Sequence, residues 1–101
     1  MKRMVRYKLK ADRVAENERY VVEVYKELRR LKPAGLRYAT FRLDDGVSFV
    51  HIVSRESEAG GQALTALPAF KAFTAGIRER CDEPPVTVEL QEIGSYGFFD
   101  T

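Results

Sequence analysis

The chain has 101 residues, 45% of them hydrophobic and 32% charged, with 17 basic and 15 acidic side chains giving a net charge of +2. That size predicts one domain spanning 1–101, and so even a balance gives little drive toward phosphate backbones, so nucleic acid is not an expected partner. A lone Cys81 excludes a disulfide framework and a cysteine metal site; no apolar run reaches membrane length and no signal-peptide core is present, which makes the cytoplasm the default location and the membrane no partner.

From Met4 to Lys10, Val5, Tyr7 and Leu9 alternate with Arg6, Lys8 and Lys10, which predicts a strand with one polar face. Asp12 is placed to cap a following helix whose positive end holds Glu16 and Glu18. Val14, Asn17, Val21, Val24, Leu28 and Leu31 fall at three- and four-residue spacings, so they share one face of that helix. Pro33 and Gly35 stop it.

Leu36 to Ser54 reads as a hairpin, with β-rich runs on either side of Asp44-Asp45-Gly46. A two-residue Asp45-Gly46 turn sets Phe41 opposite Val50 and Ala39 opposite Ile52, with Leu43 and Ser48 on the same face. Tyr38, Thr40, Arg42, Phe49, His51 and Val53 then share the other. A three-residue loop would instead move Phe49 and His51 beside Phe41. In either register the His51 side is mixed rather than polar, so something beyond a helix layer is expected to cover it.

Arg55 to Gln62, with Gly60 and Gly61, predicts an exposed loop, and Ala63 to Leu67 a short helical turn. Pro68 suits the first turn of a second helix to Arg80, with Phe70, Phe73 and Ile77 as its stripe. Pro84-Pro85 bars its continuation. Val86, Val88 and Leu90 alternate as a fourth strand that ends or bulges at Gln91-Glu92, and the aromatic tail Gly94 to Thr101 is expected to pack on its own domain or on another subunit. The order β-α-β-β-α-β is the ferredoxin-like α+β arrangement, an antiparallel sheet with two helices on one face and the other open. RNA-recognition domains share that order. Here only Gly46, Ser48, Phe49 and Val50 of DGVSFVHI match their signature, while Asp45, Val47 and Ile52 stand where a basic residue and two stacking rings belong.

The pieces VRYKLKADRVAENE, SFVHIVSRESEA, LPAFKAF and VTVELQEI, in this order, resemble the antibiotic-biosynthesis-monooxygenase-like group of the dimeric α/β-barrel superfamily across nearly the whole chain. The resemblance implies a homodimer whose sheets pack open face to open face, and a pocket between sheet and helices. It implies cofactor-free oxygenation of aromatic polyketides or, in other members, haem degradation. The enzymes of the group use an Asn, a Trp and a His or Arg. This chain has no Trp, and Leu67-Pro68-Ala69 stands where the helix-borne His would be, so haem degradation is not expected. No cofactor and no metal are expected either, because one His and no paired Cys cannot supply a ligand set.

His51 is the one side chain whose ordinary pKa lies near neutrality, which makes it the candidate catalytic residue, deprotonating a phenol to the anion that meets O2. Alternatively it hydrogen-bonds across the barrel to Thr40 or Glu89. Asn17 lies on an apolar line, where an unpartnered amide costs about 1–3 kcal/mol, so it binds either a ligand carbonyl or a nearby backbone group. Tyr20 and Tyr38 can orient an aromatic ligand through their hydroxyls or fill the core with wet tips. Phe49, Phe70 and Phe73 form core or pocket wall. Arg42 either steadies an anionic oxygen or pairs with Asp44, and Glu89, Lys8 and Arg6 are expected to pair across the open face. Two functions follow: oxygenation or binding of a small aromatic metabolite, and a non-catalytic assembly or regulatory module. An enclosed pocket with His51 or Asn17 in its wall marks the first; a space filled by Phe41, Phe70 and Phe73 marks the second.

Overall fold

The computed structural model describes residues 1–99. Strands β1 (Lys2–Leu9), β2 (Leu36–Arg42), β3 (Ser48–Arg55) and β4 (Cys81–Leu90) form one antiparallel sheet in the order β2-β3-β1-β4. Helix α1 (Val14–Leu31) crosses from β1 to β2, and α2 (Glu58–Ala66), α3 (Pro68–Ala75) and α4 (Ile77–Arg80) carry the chain from β3 to β4. The ferredoxin-like order is as expected, with the second crossover divided among three helices.

The hairpin register is the one the Asp45-Gly46 turn predicts: Phe41 faces Val50 and Ala39 faces Ile52. The loop itself is wider than that pair of residues. Leu43 N donates to Ser48 O at 2.8 Å and Gly46 N to Leu43 O at 3.0 Å, so the loop runs from 44 to 47, with Gly46 at φ +78°. The Asp45 carboxylate accepts from the backbone N–H groups of Val47 and Ser48 and from the Ser48 hydroxyl, which holds its carboxyl down to about 2.

Which face is covered differs from the sequence reading. β1 pairs Tyr7 with Phe49 and Val5 with His51, so the mixed face of the hairpin joins the apolar side of β1. Tyr7, Leu9 and Phe49 pack there against Val21 and Val24 of α1 and against Leu64, Phe73 and Ile77 of the later helices. The helices therefore cover His51. The bare side carries Phe41, Ala39, Val50, Ile52 and Met4, extended by Val86, Val88 and Leu90 of β4. Phe41 and Val86 are 49% and 61% exposed, so Phe41 takes no part in filling the space beneath the helices.

Arg55–Gln62 is not an open loop. The Ser57 hydroxyl accepts from Gly60 N at 3.1 Å and starts α2 at Glu58, and both glycines are buried. A Cβ on Gly60 would collide with the Gly35 carbonyl, so glycine here admits close backbone contact between the α1–β2 connection and α2. Gly60→Ala is expected to cost about 1–3 kcal/mol, because backbone must move to admit the methyl; thermal unfolding measures it, and an unchanged midpoint contradicts the packing described.

Other boundaries shift for local reasons. The helix beginning at Pro68 breaks at Gly76, and its first turn is capped from α1, where Glu27 Oε1 accepts from Ala69 N at 2.8 Å. Asp12 does not cap α1: Ala11–Arg13 is a 3-10 turn, and Arg13 instead forks onto Glu16 at 2.7 and 2.9 Å. Leu31, at the worn end of the α1 stripe, is half exposed. β4 starts at Cys81 and runs through Pro84-Pro85. It tolerates them because it is an edge strand, with register shifts against β1 between Arg6 and Leu9. The tail touches its own sheet through Lys2–Glu92 at 3.2 Å, Lys2 Nζ 4.9 Å over the Phe99 ring, and an Arg37 hydrogen bond to Phe98 O, while Ile93 and Tyr96 stand in solvent. The last two residues of that tail lie outside the described residues.

Candidate functional site

Between the sheet and the three later helices lies a cleft of about 390 Å³. Its floor is Val5, Tyr7, Tyr38, His51 and Val53 on β1, β2 and β3. Leu64, Phe70, Phe73 and Ile77 close it from the helices, and Pro85 and Thr87 of β4 form one side. Thr74 and Arg78 line it as well; both are exposed, so they mark the rim. Among the described residues Arg78 has no ion-pair partner, so it offers a free cation beside an apolar space.

At the back of the cleft runs a buried polar chain. His51 Nε2 lies 2.7 Å from the Tyr7 hydroxyl; Nδ1 lies 2.7 Å from the Tyr38 hydroxyl and 3.1 Å from Thr40 Oγ1. The Tyr7 hydroxyl accepts from Asn17 Nδ2 at 3.0 Å, and Asn17 Oδ1 accepts from Arg80 Nε at 3.1 Å. Arg80 also donates to Phe73 O at 2.7 Å, with its guanidinium 4.5 Å over the Tyr20 ring. Tyr25 and Thr40 share a 2.8 Å hydrogen bond at the far end.

Burial fixes the charge states. His51 is 3% exposed, and desolvation pushes its imidazole down to about 4, so it is neutral at pH 7. Burial also raises the Tyr7 and Tyr38 hydroxyls well above the usual tyrosine range, and both remain protonated. The floor of the cleft is thus uncharged, and its one cation stands at the rim.

The sequence candidates scatter. His51, Tyr38, Phe70 and Phe73 meet at the cleft. Asn17 is fully buried behind Tyr7, and Phe49 stacks on Tyr7 at 5.7 Å within the core. Tyr20 faces Arg80, and Arg42 pairs with Glu18 at 2.9 Å on the surface, neither with Asp44 nor with the cleft. Of the cross-strand ion pairs, Lys8 meets Glu83 and Glu89 meets Arg3, while Arg6 has no such partner among the described residues. Both His51 nitrogens are engaged by side chains of this chain, Thr40 among them as one alternative expected. Among the described residues no three His, Cys, Asp or Glu side chains cluster to hold a metal ion.

Sequence reading missed Tyr7, Arg78 and Arg80. The run Arg78-Glu79-Arg80 looks like a solvated helix end. A signal was available: Phe70, Phe73, Ile77 and Arg80 are spaced by three, four and three residues, which puts Arg80 on the apolar stripe.

No helix among the described residues is long and apolar enough to cross a membrane. Sequence comparison finds no matching family model and no matching curated protein. Solved structures do match. A candidate antibiotic biosynthesis monooxygenase from Bacteriodes thetaiotaomicron superposes with a TM-score of 0.80 at 17% identity, covering 100% of this chain and 95% of that one. Rv0793 from Mycobacterium tuberculosis gives 0.75 at 16%, over 93% and 95%. Another structure, described as an antibiotic biosynthesis monooxygenase, gives 0.75 at 17%, over 92% and 98%. At such identities the likeness is one of fold. The chain has the fold of these structures, two of them described as antibiotic biosynthesis monooxygenases.

Proposed function

We propose that this chain binds a small hydroxylated aromatic metabolite in the His51 cleft and oxygenates it without a metal or flavin, acting as a homodimer. The observation that carries the reading is the cleft itself, a few hundred Å³ of largely apolar space with one buried polar cluster in its wall. Phe70 and Phe73, 6.1 Å apart, offer ring faces to an aromatic body. Arg78 supplies a cation for a phenolate or carboxylate at the rim.

An electron-rich phenolate can pass electrons to O2 directly. Insertion of one oxygen atom at a ring C–H carbon, with the other leaving as water, converts a phenol to a quinone, and the substrate itself supplies all four electrons that O2 takes up. The protein then has to hold the ring, favour the anion and exclude water. Because both His51 nitrogens are occupied, the group that meets the ligand oxygen is the Tyr38 hydroxyl, and His51 acts through it.

Purified protein is expected to turn over a hydroxynaphthoquinone or anthrone panel with O2 uptake, and His51→Ala to slow this by about tenfold or more. The same occupied nitrogens favour a second reading, a dimer that binds such molecules without reacting. Binding with no O2 uptake across the panel selects that reading and sinks the oxygenase one.

The homodimer rests on the bare sheet face. Phe41, Val86, Val88 and Leu90 are 36% to 61% exposed on the face they share with Met4, Val50 and Ile52, with Arg6 between Val50 and Val86, and exposed apolar side chains grouped in this way mark an interaction surface. Two copies packed sheet to sheet would cover it.

A further inference from the structure

We propose that Arg80 and Asn17 are positioning residues that set the direction of the buried hydrogen-bond chain, so that neutral His51 carries its proton on Nδ1 and the Tyr38 hydroxyl is left as a donor facing the cleft. The assignment of protons needs no ligand; only its last step, the ligand's chemistry, rests on the reading of the cleft as a binding site.

Arginine only donates, so the Asn17 atom 3.1 Å from Arg80 Nε is the amide oxygen. The amide nitrogen therefore donates to the Tyr7 hydroxyl oxygen at 3.0 Å. Tyr7 has one proton left to place, and among the described residues its only acceptor is His51 Nε2, 2.7 Å away. Were Nε2 to carry the proton instead, the Tyr7 hydroxyl would be a buried donor with nothing to meet, the costliest way to break a hydrogen bond. A neutral imidazole has one ring proton, so it sits on Nδ1 and is donated to Tyr38 at 2.7 Å, with Thr40 at 3.1 Å.

The Tyr38 oxygen is thus an acceptor from His51, and its own proton can turn toward Thr40 or, where a ligand offers an acceptor, into the cleft that it lines. The opposite tautomer would present an acceptor there. The two arrangements select different ligands. A donor at this point takes a carbonyl or phenolate oxygen, whereas an acceptor takes a neutral O–H. Arg80 also explains itself in this scheme: it is 2% exposed, it pairs with no carboxylate among the described residues, and it rests on the Tyr20 ring face while it orients the amide.

His51 is the only histidine, so its two ring nitrogens can be read unambiguously by long-range ¹H–¹⁵N correlation on ligand-free protein at pH 7. A protonated Nδ1 and a bare Nε2 are expected; the reverse overturns the proposal. Asn17→Asp replaces the amide donor with a carboxylate that accepts from both Arg80 and Tyr7, so the tautomer should invert. A pure Nδ1 tautomer retained in the folded Asn17→Asp protein removes Asn17 and Arg80 from any positioning role.

The ligand step has its own readout, chemical-shift changes on titration with 1,4-naphthoquinone and with naphthalene. The quinone is expected to bind about tenfold tighter, and Tyr38→Phe to erase the difference while both still bind. Equal affinity for the two probes refutes the donor. Failure of both probes to shift any cleft resonance refutes the cleft as a site for such ligands, and the tautomer result stands apart from it.

Discussion

Lowering the pH from 7 to 4 is expected to cost the folded state on the order of 3 kcal/mol through His51 alone. The ordinary histidine value of 6.5 governs the unfolded chain, while burial holds the folded imidazole down to about 4. Above pH 6.5 neither state binds the proton and the full stability is present. As pH falls through 6.5, the unfolded chain takes up a proton that the folded one refuses, so the equilibrium moves toward unfolding until about pH 4. A gap of that size at ~1.4 kcal/mol per unit gives the figure above. Other groups leave the window clear. Asp45, held down to about 2, and Glu16, lowered by Arg13, begin to cost stability only below the ordinary carboxylate values of 3.8 and 4.5. Urea titrations at fixed protein concentration from pH 7.5 to 4.5 measure the slope. His51→Gln should be less stable at pH 7 but flat over this range. A wild-type protein that is equally stable at both ends would mean that His51 is not the neutral, desolvated group described.

The same histidine marks the limit of what the sequence discloses. Its register opposite Thr40 was legible, because Asp-Gly chemistry and pleat alternation are local. The face it occupies was not. Both faces of the hairpin carry apolar side chains, and only the non-local pairing of Val5 with His51 joins it to the side of β1 that Val5, Tyr7 and Leu9 make greasy. β1 alone showed a clean division, with Arg6 and Lys8 outward, but nothing within one strand says which face of another it continues. Gly60 and Gly61 misled for a related reason: glycine permits a loop, yet here it permits two backbones to touch, and the second backbone, Gly35, is distant in sequence. Arg80 stayed hidden because charge at a helix end ordinarily reads as solvated, and its stripe position only acquires meaning once Asn17 is known to lie opposite.

Ile52→Asp is expected to split the proposed dimer while leaving each protomer folded. Ile52 is central on the bare face, with Met4 on one side and Ala39 on the other, and Val88 lies beyond Met4. No cation stands directly opposite it, unlike Val50, whose neighbour is Arg6. A carboxylate there meets water in a separate protomer, at a cost of about 1 kcal/mol or less in strand preference. Between two sheets it would be a buried, unpaired charge, worth roughly 3–5 kcal/mol, or about two to four decades in the dissociation constant. Light scattering across a hundredfold range of concentration should find wild-type dimers and variant monomers, with far-ultraviolet dichroism unchanged. A monomeric wild type, or a variant that stays dimeric, removes sheet-to-sheet assembly. The cleft lies on the other side of the sheet, between it and the helices. Naphthoquinone binding should therefore survive dissociation, which makes the substitution a test of assembly that leaves the site intact.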